Sequence, residues 1–424
     1  MKNFIRILAL AMALVMIFSL TACFGPANSL RNPRDIPDRP NIHLVLLYVG
    51  YWGFSTQRYP EFTTRDIERM TEMGMDQFLL IHLVDVMGYR DDDGELQQIV
   101  TPEDIENMDI ELTNASDEIG LIGAQDTFMR ALLDRNRRDP NTTLNSLADD
   151  AIELAWRILD VNPDAQLWFT FPNTVIAPLS HLYYEPFIEH YYNRIKDEFY
   201  GEVWDNNVAG FYFAKEEVPP YHLPFNTDNM AYFDNPVVKL MRDLSRVIHA
   251  DDKFFLWIPF THQDGLAPGT ERSRRLGYVA NHTDIFDYVI IQPNHLFDRM
   301  VTQNLETIRQ SALQNAVLNH NGDVIGGEKT SSTIVSLMVE LEMKEFLGGN
   351  PPQGFSAAEV RYRFQHYVDA YRDLVGEVSF AFYAGEQTSL MHPLVFERIR
   401  VFFDEDAEVP DDYVWPEPES DTDG

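Results

Sequence analysis

The run Val208-Ala-Gly-Phe-Tyr-Phe-Ala-Lys-Glu-Glu217 reads as a buried strand that stops on two carboxylates. Side chains alternate along a strand, so Phe211, Phe213 and Lys215 share one face and Tyr212, Ala214 and Glu216 the other. Pro219-Pro220 then turns the chain out of any sheet, because proline cannot continue a hydrogen-bonded ladder. Parallel α/β proteins keep their reacting groups at such carboxyl ends of strands. Ser336-Leu-Met-Val-Glu-Leu-Glu-Met343 ends in the same way, with Met338, Glu340 and Glu342 on one face and Leu337, Val339 and Leu341 on the other.

Outward from these two runs, apolar and β-branched segments recur at Ile42–Val49, Gln77–Val84, Ala165–Phe171, Ala209–Lys215, Phe254–Phe260, Tyr288–Gln292, Ile334–Met343 and Val378–Tyr383. Between them lie stretches of helical periodicity. In Leu147–Leu159 the residues Leu147, Ala151, Leu154, Ala155 and Ile158 form one apolar stripe. Pro186–Phe199, Pro236–Ile248, Leu305–Leu318 and Ala357–Leu374 behave alike. Alternation of strand and helix predicts a parallel sheet covered by helices, and eight strands over this length predict a closed (β/α)₈ TIM barrel of the α/β class. No Gly-x-Gly-x-x-Gly loop supports an open dinucleotide-binding sheet. A long insertion, residues 85–146, separates the second and third strands. Its acidic run Asp91-Asp-Asp-Gly-Glu95 reads as a solvated loop, because Tyr89 stands where a calcium loop needs its first acidic ligand.

The ends of the chain carry an address. Met1 to Arg6 holds Lys2 and Arg6, Ile7 to Leu20 is uncharged and apolar, and Leu20-Thr-Ala-Cys23 follows. This reads as a secretory signal over residues 1–22 that resembles the bacterial lipoprotein signal, a resemblance that implies Cys23 as the lipidated N-terminus. Residues 23–40 are rich in proline and polar groups and read as a tether. Residues 41–403 make the barrel domain, and residues 404–424, with ten acids and no base, read as a disordered tail. The predicted place is the extracellular face of a bacterial cell membrane, with the lipid as the only membrane contact. Cys23 is the single cysteine, which excludes disulfides and cysteine-based zinc sites. Taking Lys2 and Arg6 from the 33 bases leaves 31 against 67 acids. Such a surface repels nucleic acid, so no nucleic-acid partner is expected.

The strand ends collect aromatic rings, amides and a few carboxylates: Tyr51 and Trp52, Asn173, Tyr212 and Glu216, Trp257 and His262, Gln292 and Asn294, Glu340 and Glu342, and Tyr383. Sugars need this mixture, because their CH faces stack on rings while their hydroxyls need planar donors and acceptors. Glycoside cleavage needs two carboxyls flanking the bond. Glu216 fits the acid and Glu342 the second carboxylate, with Glu340 as an alternative in that role or as a structural acid. Glu217 reads as a solvated or salt-bridged neighbour. No His-x-His, His-Glu-x-x-His or Gly-x-Ser-x-Gly motif occurs, so neither a metal nor a serine nucleophile is called for, and no cofactor is expected. Gly322-Asp-Val-Ile-Gly-Gly327 reads as a turn.

Phe254-Phe-Leu-Trp-Ile-Pro-Phe260, Phe286-Asp-Tyr-Val-Ile-Ile-Gln-Pro-Asn294 and Gly210-Phe-Tyr-Phe-Ala-Lys-Glu216 resemble the bacterial domain-of-unknown-function 4855 family, with Gly74-Met-Asp-Gln-Phe-Leu-Leu80 and Met338-Val-Glu-Leu-Glu342 fitting more loosely. The likeness spans most of residues 42–400. It implies a glycoside-hydrolase-type barrel of unassigned activity, with Glu216 as its strand-four acid and Glu342, or else Glu340, as its strand-seven acid. A wider resemblance to retaining barrel glycosidases implies an acid/base at Glu216 and a nucleophile at Glu342. Those enzymes carry Asn before the strand-four acid, whereas this chain carries Lys215. The expectation is a lipid-anchored glycoside hydrolase on a neutral poly- or oligosaccharide. Its rivals are a catalytically silent carbohydrate-binding lipoprotein and an envelope scaffold that binds a protein partner through the insertion.

Overall fold

The computed structural model describes residues 39–50, 58–82, 88–90, 96–98, 143–174, 180–181, 183–218, 235–261, 264–297, 303–341 and 357–404. The chain falls into two compact units, Met1–Pro40 and Asn41–Gly424, and of the first only Arg39 and Pro40 are described. The strands are β1 His43–Tyr48, β2 Gln77–Ile81, β3 Gly88–Arg90, β4 Leu96–Gln98, β5 Gln166–Phe171, β6 Val208–Phe213, β7 Phe254–Trp257, β8 Tyr288–Ile291, β9 Ile334–Glu340 and β10 Phe380–Tyr383. The helices are α1 Thr64–Glu72, α2 Thr143–Val161, α3 over residues 184–198 with a π-helical middle at Phe187–Tyr192, α4 Glu202–Asn207, α5 Pro236–Ala250, α6 Glu271–His282, α7 Asn304–Leu313, α8 Ala357–Tyr371, α9 Gln387–Leu390 and α10 Pro393–Phe403.

Eight of the strands close into a barrel in the order β1, β2, β5, β6, β7, β8, β9, β10, with β10 returning to β1. Every neighbouring pair in it is parallel. This is the expected (β/α)₈ TIM barrel, and all eight predicted strands are present. Two end early. Pro259 and Pro293 cannot donate to a ladder, so β7 stops at Trp257 and β8 at Ile291, and Phe260 and Gln292 pair as one isolated bridge. Within the insertion, β3 and β4 form an antiparallel pair and α2 begins at Thr143. The acidic run Asp91–Glu95 lies outside the described residues.

Alternation divides the apolar side chains into two layers. Leu44, Leu46, Leu79, Trp168, Tyr212, Leu256, Tyr288, Ile290 and Met338 fill the barrel interior. Val45, Leu47, Phe169, Phe211, Phe213, Phe255, Trp257, Val289, Leu337 and Val339 face the helices. Toward the amino ends of the strands the interior is plugged by Trp168, whose ring stacks on Phe254 at 6.1 Å and meets Tyr288 edge-on at 6.0 Å. Open space is left at the carboxyl ends.

The register of β5 against β6 slips between Leu167 and Trp168, so that Val208 faces Leu167 and Gly210 faces Trp168. Ala209 has no counterpart. This bulge resets the alternation and brings Phe211 to the outer layer and Tyr212 inside. Gly210 has no room for a side chain, since a Cβ there would lie 2.2 Å from the Phe254 carbonyl oxygen. Helix α1 opens with a capping box that the periodicity alone did not reveal. The Thr63 hydroxyl accepts from the Asp66 amide at 3.2 Å and the Asp66 carboxylate accepts from the Thr63 amide at 2.9 Å. Gln387 of α9 also donates to Asp66, at 2.8 Å, which ties α9 to α1.

Candidate active site

The carboxyl ends of the barrel strands surround a cavity of about 810 Å³. Its floor comes from inward residues of the strands: Leu46 and Tyr48 from β1, Ile81 from β2, Tyr212 from β6, Ile258 after β7 and Met338 from β9. Its rim carries Asn173, Lys215, Glu216, Glu217, Phe260, Gln292, Asn294, Phe297 and Tyr383. Of the expected site residues, Glu216, Tyr212, Asn173, Gln292, Asn294 and Tyr383 are therefore brought to one hollow.

Glu216 continues the inward face of β6 past Tyr212 and Ala214, and it is turned into the cavity as alternation required. Its backbone is held, because its carbonyl accepts from the Phe260 amide at 3.2 Å. Its side chain is exposed at the cavity mouth, and partial desolvation by the surrounding walls raises its carboxyl above the ordinary glutamate range. The hydrogen bond from Gln292 Nε2 to Glu216 Oε1, at 2.9 Å, works against the rise, the Glu217 charge adds to it, and Lys215 opposes it. A carboxyl with a raised pKa that faces a hollow can hold a proton and deliver it to a leaving oxygen.

Tyr48 and Tyr383 meet through their hydroxyls at 2.8 Å, and Tyr48 packs on Tyr59 with ring centroids 5.1 Å apart. Tyr212 is buried beneath Glu216. Its hydroxyl is pushed well above its usual pKa by burial, with the charges of Glu216 and Tyr48 adding to the effect. Lys215 donates to the Thr174 carbonyl at 3.1 Å, and Glu217 pairs with Arg272 at 3.5 Å. Glu217 thus has the salt-bridged role expected of it. Phe260 and Phe297 line the cavity but were not singled out as site residues. Tyr48 was legible, since it shares the inward face of β1 with Leu44 and Leu46. Phe297 sits in a loop and carries no periodic signal.

Two expected residues stand elsewhere than in the cavity. Trp257 is directed into the layer between sheet and helices, where it stacks on Phe286 at 5.7 Å and donates to the Lys215 carbonyl at 2.8 Å. Leu256 and Ile258 take the inward positions, so Trp257 braces the Lys215-Glu216 turn from behind and offers no platform for a sugar. Glu340 keeps the inward face of β9, but the segment 292–297 stands between it and the hollow. Its carboxylate accepts from the Asn294 amide at 2.7 Å, the Leu296 amide at 3.2 Å and the Tyr367 hydroxyl. Burial pushes its carboxyl up to about 7, against the Tyr367 hydroxyl and the amides of Leu296, Asn294 and His295. Of its two expected roles the structural one fits, since its carboxylate is satisfied by amides and a phenol. His82 reaches the cavity wall, while its ring lies edge-on to Tyr191 of α3 at 5.9 Å. Neither ring nitrogen has a well-formed hydrogen bond, and burial takes it to about 3 although the Val49 backbone draws weakly the other way.

Tyr51, Trp52, His262, Glu342 and Cys23 lie outside the described residues. Among the described residues no group of His, Cys, Asp and Glu could hold a metal ion, and no helix is long and apolar enough to cross a membrane.

No family model matches the chain, and no curated protein does. Solved structures with a similar course include a GH18 chitinase from Pseudoalteromonas aurantia, at 10% identity over 80% of this chain and 93% of that one, with a TM-score of 0.33. Fungal β-1,4-galactanases align at 12% identity over 81% and 89%, with a TM-score of 0.40. A homocysteine methyltransferase from Escherichia coli aligns at 8% identity over 87% and 97%, with a TM-score of 0.34. At these scores the likenesses carry no weight for activity, and a barrel shared by two glycosidases and a methyltransferase selects none.

Proposed function

We propose that the chain is a glycoside hydrolase that acts on a neutral poly- or oligosaccharide within the barrel-mouth cavity, tethered to the outer face of a bacterial membrane through Cys23. The observation that carries this reading is Glu216. It is a carboxyl raised above its usual range, held by a side-chain amide, in a hollow of about 810 Å³ lined with tyrosines, amides and phenylalanines. Tyr212, Tyr383, Phe260 and Phe297 supply faces for sugar rings, and Asn173, Gln292 and Asn294 supply paired donors and acceptors for hydroxyls. Glu216 is assigned as the acid/base and Glu342 as the second carboxylate. The lining bears one base and two acids, one of which is paired with Arg272, and this balance suits an uncharged ligand.

The described end of β9 favours a second reading. Glu340 is fully engaged with backbone amides and Tyr367, so it does not serve as the partner carboxyl, and a binding-only protein on the same barrel would use the same rings and amides. A glycan-array screen of the protein, followed by mass spectrometry of products from each bound glycan, separates the two. A hydrolase releases shorter saccharides, and Glu216→Gln binds the same glycans while releasing none. Equal binding by both proteins with no product from either would leave the binding role alone. Absence of glycan binding by either would overturn the carbohydrate reading altogether.

A further inference from the structure

Glu340 sits at the end of β9 with 1% exposure and accepts three hydrogen bonds, one of them from the Tyr367 hydroxyl of α8. Two of the donors, the amides of Asn294 and Leu296, belong to the segment that leaves β8. The same segment is held from other sides. Asn304 Nδ2 of α7 donates to the Pro293 carbonyl at 2.8 Å, and the Arg363 guanidinium of α8 donates to the His295 carbonyl. Asn294 has a φ of 55°. That left-handed conformation is unfavourable for a residue with a Cβ, although Asn tolerates it better than most. An outside hold is needed to keep the segment so bent, and a buried carboxylate that accepts both flanking amides is such a hold.

The start of the segment touches the chemistry. Gln292 Nε2 donates to Glu216 Oε1 at 2.9 Å and to the Ile258 carbonyl at 3.3 Å. Its backbone amide is pinned on the Pro259 carbonyl at 3.1 Å. The amide of Gln292 favours the ionised form of Glu216. Two acids on different strands are thereby linked through one short piece of backbone and one side chain.

We propose that Glu340 is a positioning residue for Glu216, acting through segment 292–297 to keep the Gln292 amide on the Glu216 carboxylate. The titratable and charged groups around the relay belong to it or flank it. Glu216 faces Glu217, Lys215 and Tyr212. Glu340 faces Tyr367 and Tyr371 of α8, while His295, His366 and Arg363 lie together on the far side of the segment, with the two imidazoles 3.1 Å apart. Its consequence for turnover rests on the reading of Glu216 as the acid, but its consequence for the ionisation of Glu216 does not.

The test measures that ionisation directly, without substrate. Full-length protein carrying ¹³C-labelled glutamate carboxyls is titrated by NMR, and the Glu216 signal is assigned by its loss in Glu216→Gln. Glu340→Gln retains size but cannot accept from all three donors, and the Glu216 pKa then rises by about one unit, the size of one lost hydrogen bond to a charged group. Gln292→Leu produces a similar rise, and adding Glu340→Gln to Gln292→Leu produces no more. Should Glu340→Gln fail to fold, Tyr367→Phe removes a single donor and decides by the same criterion: a smaller rise that Gln292→Leu abolishes. A folded variant with an unmoved Glu216, or a rise of equal size with and without Gln292, overturns the proposal. If the protein proves to hydrolyse no glycan, the titration result still stands or falls by itself.

Discussion

The character of Glu216 comes from its neighbours more than from its own type. Walls raise its carboxyl, Gln292 and Lys215 restrain it, and Glu217, turned toward Arg272, adds a charge from the same strand end. Trp257 acts on the same turn from outside the barrel, through the Lys215 carbonyl. Trp257→Phe is expected to lower stability by about 2 kcal/mol in urea denaturation, from one lost hydrogen bond and some lost packing, without a large change in glycan affinity. A large loss of affinity with unchanged stability would restore the ring to the binding surface. At this scale the sequence was partly legible. Alternation along Val208–Glu217 selected Glu216 over Glu217 and placed Tyr212 beneath it. The same rule, applied along β7 where Leu256 and Ile258 take the inward face, places the Trp257 ring among the helices and away from the strand-end surface. It also gave the correct face for Glu340 but not the segment that stands in front of it, because a loop closing over a strand end has no period to read.

Among the elements, β6 shows how little room the barrel leaves. Its bulge at Ala209 permits both Val208 and Phe211 to face the helices, and it is passable because Gly210 presents no side chain to Phe254 and Trp168. Gly210→Ala would put a methyl group against a backbone carbonyl and is predicted to destabilise by about 3 kcal/mol or more, read as a lower urea midpoint. An unchanged midpoint would contradict the packing of β6 on β7. All eight strands were legible from apolar runs, since strands buried on both faces read as nearly continuous hydrophobic stretches. Their ends were less so: the ladder stops where Pro259 and Pro293 remove donors, and single bridges carry the chain a little further. Helix α1 is short and polar on its outer side, and the signals that would have found it are the Thr63-x-x-Asp66 capping box and the buried pair Ile67 and Met70 at helical spacing.

The whole molecule couples its buried titrating groups to pH. His82 and His295 are held neutral by burial down to about 3, and in His295 the nearby Arg363 and His366 add to that effect. Unfolded histidines bind protons below about 6.5, so the stability these two contribute is lost as pH falls below that value. Asp66, Asp251 and Asp373 keep pKa values below the usual range, and their contribution is lost at still lower pH. Glu340 and Glu216 work in the opposite sense. Their folded pKa values are raised, so what they contribute is present at low pH and is lost as pH rises, through about 7 for Glu340. The two histidines outweigh the glutamates, and urea denaturation should show stability rising from about pH 4.5 to 7. The rise should be steeper in Glu340→Gln, and a fall over that interval would contradict the burial assigned to His82 and His295. At this scale the closed barrel and the hollow at its mouth followed from the order of elements, whereas the barrel's filling by Trp168, Phe254 and Tyr288 required the actual register. The central claim is that Glu216 delivers a proton to a glycosidic oxygen. The pH dependence of the initial rate on the best glycan from the array, for the parent protein and Glu216→Gln, tests it most directly. The account predicts a rate that falls as pH rises past the elevated pKa of Glu216, and a loss of roughly 10²- to 10⁴-fold with no such limb in Glu216→Gln. Hydrolysis by Glu216→Gln at the parent rate, with the same pH profile, would contradict it.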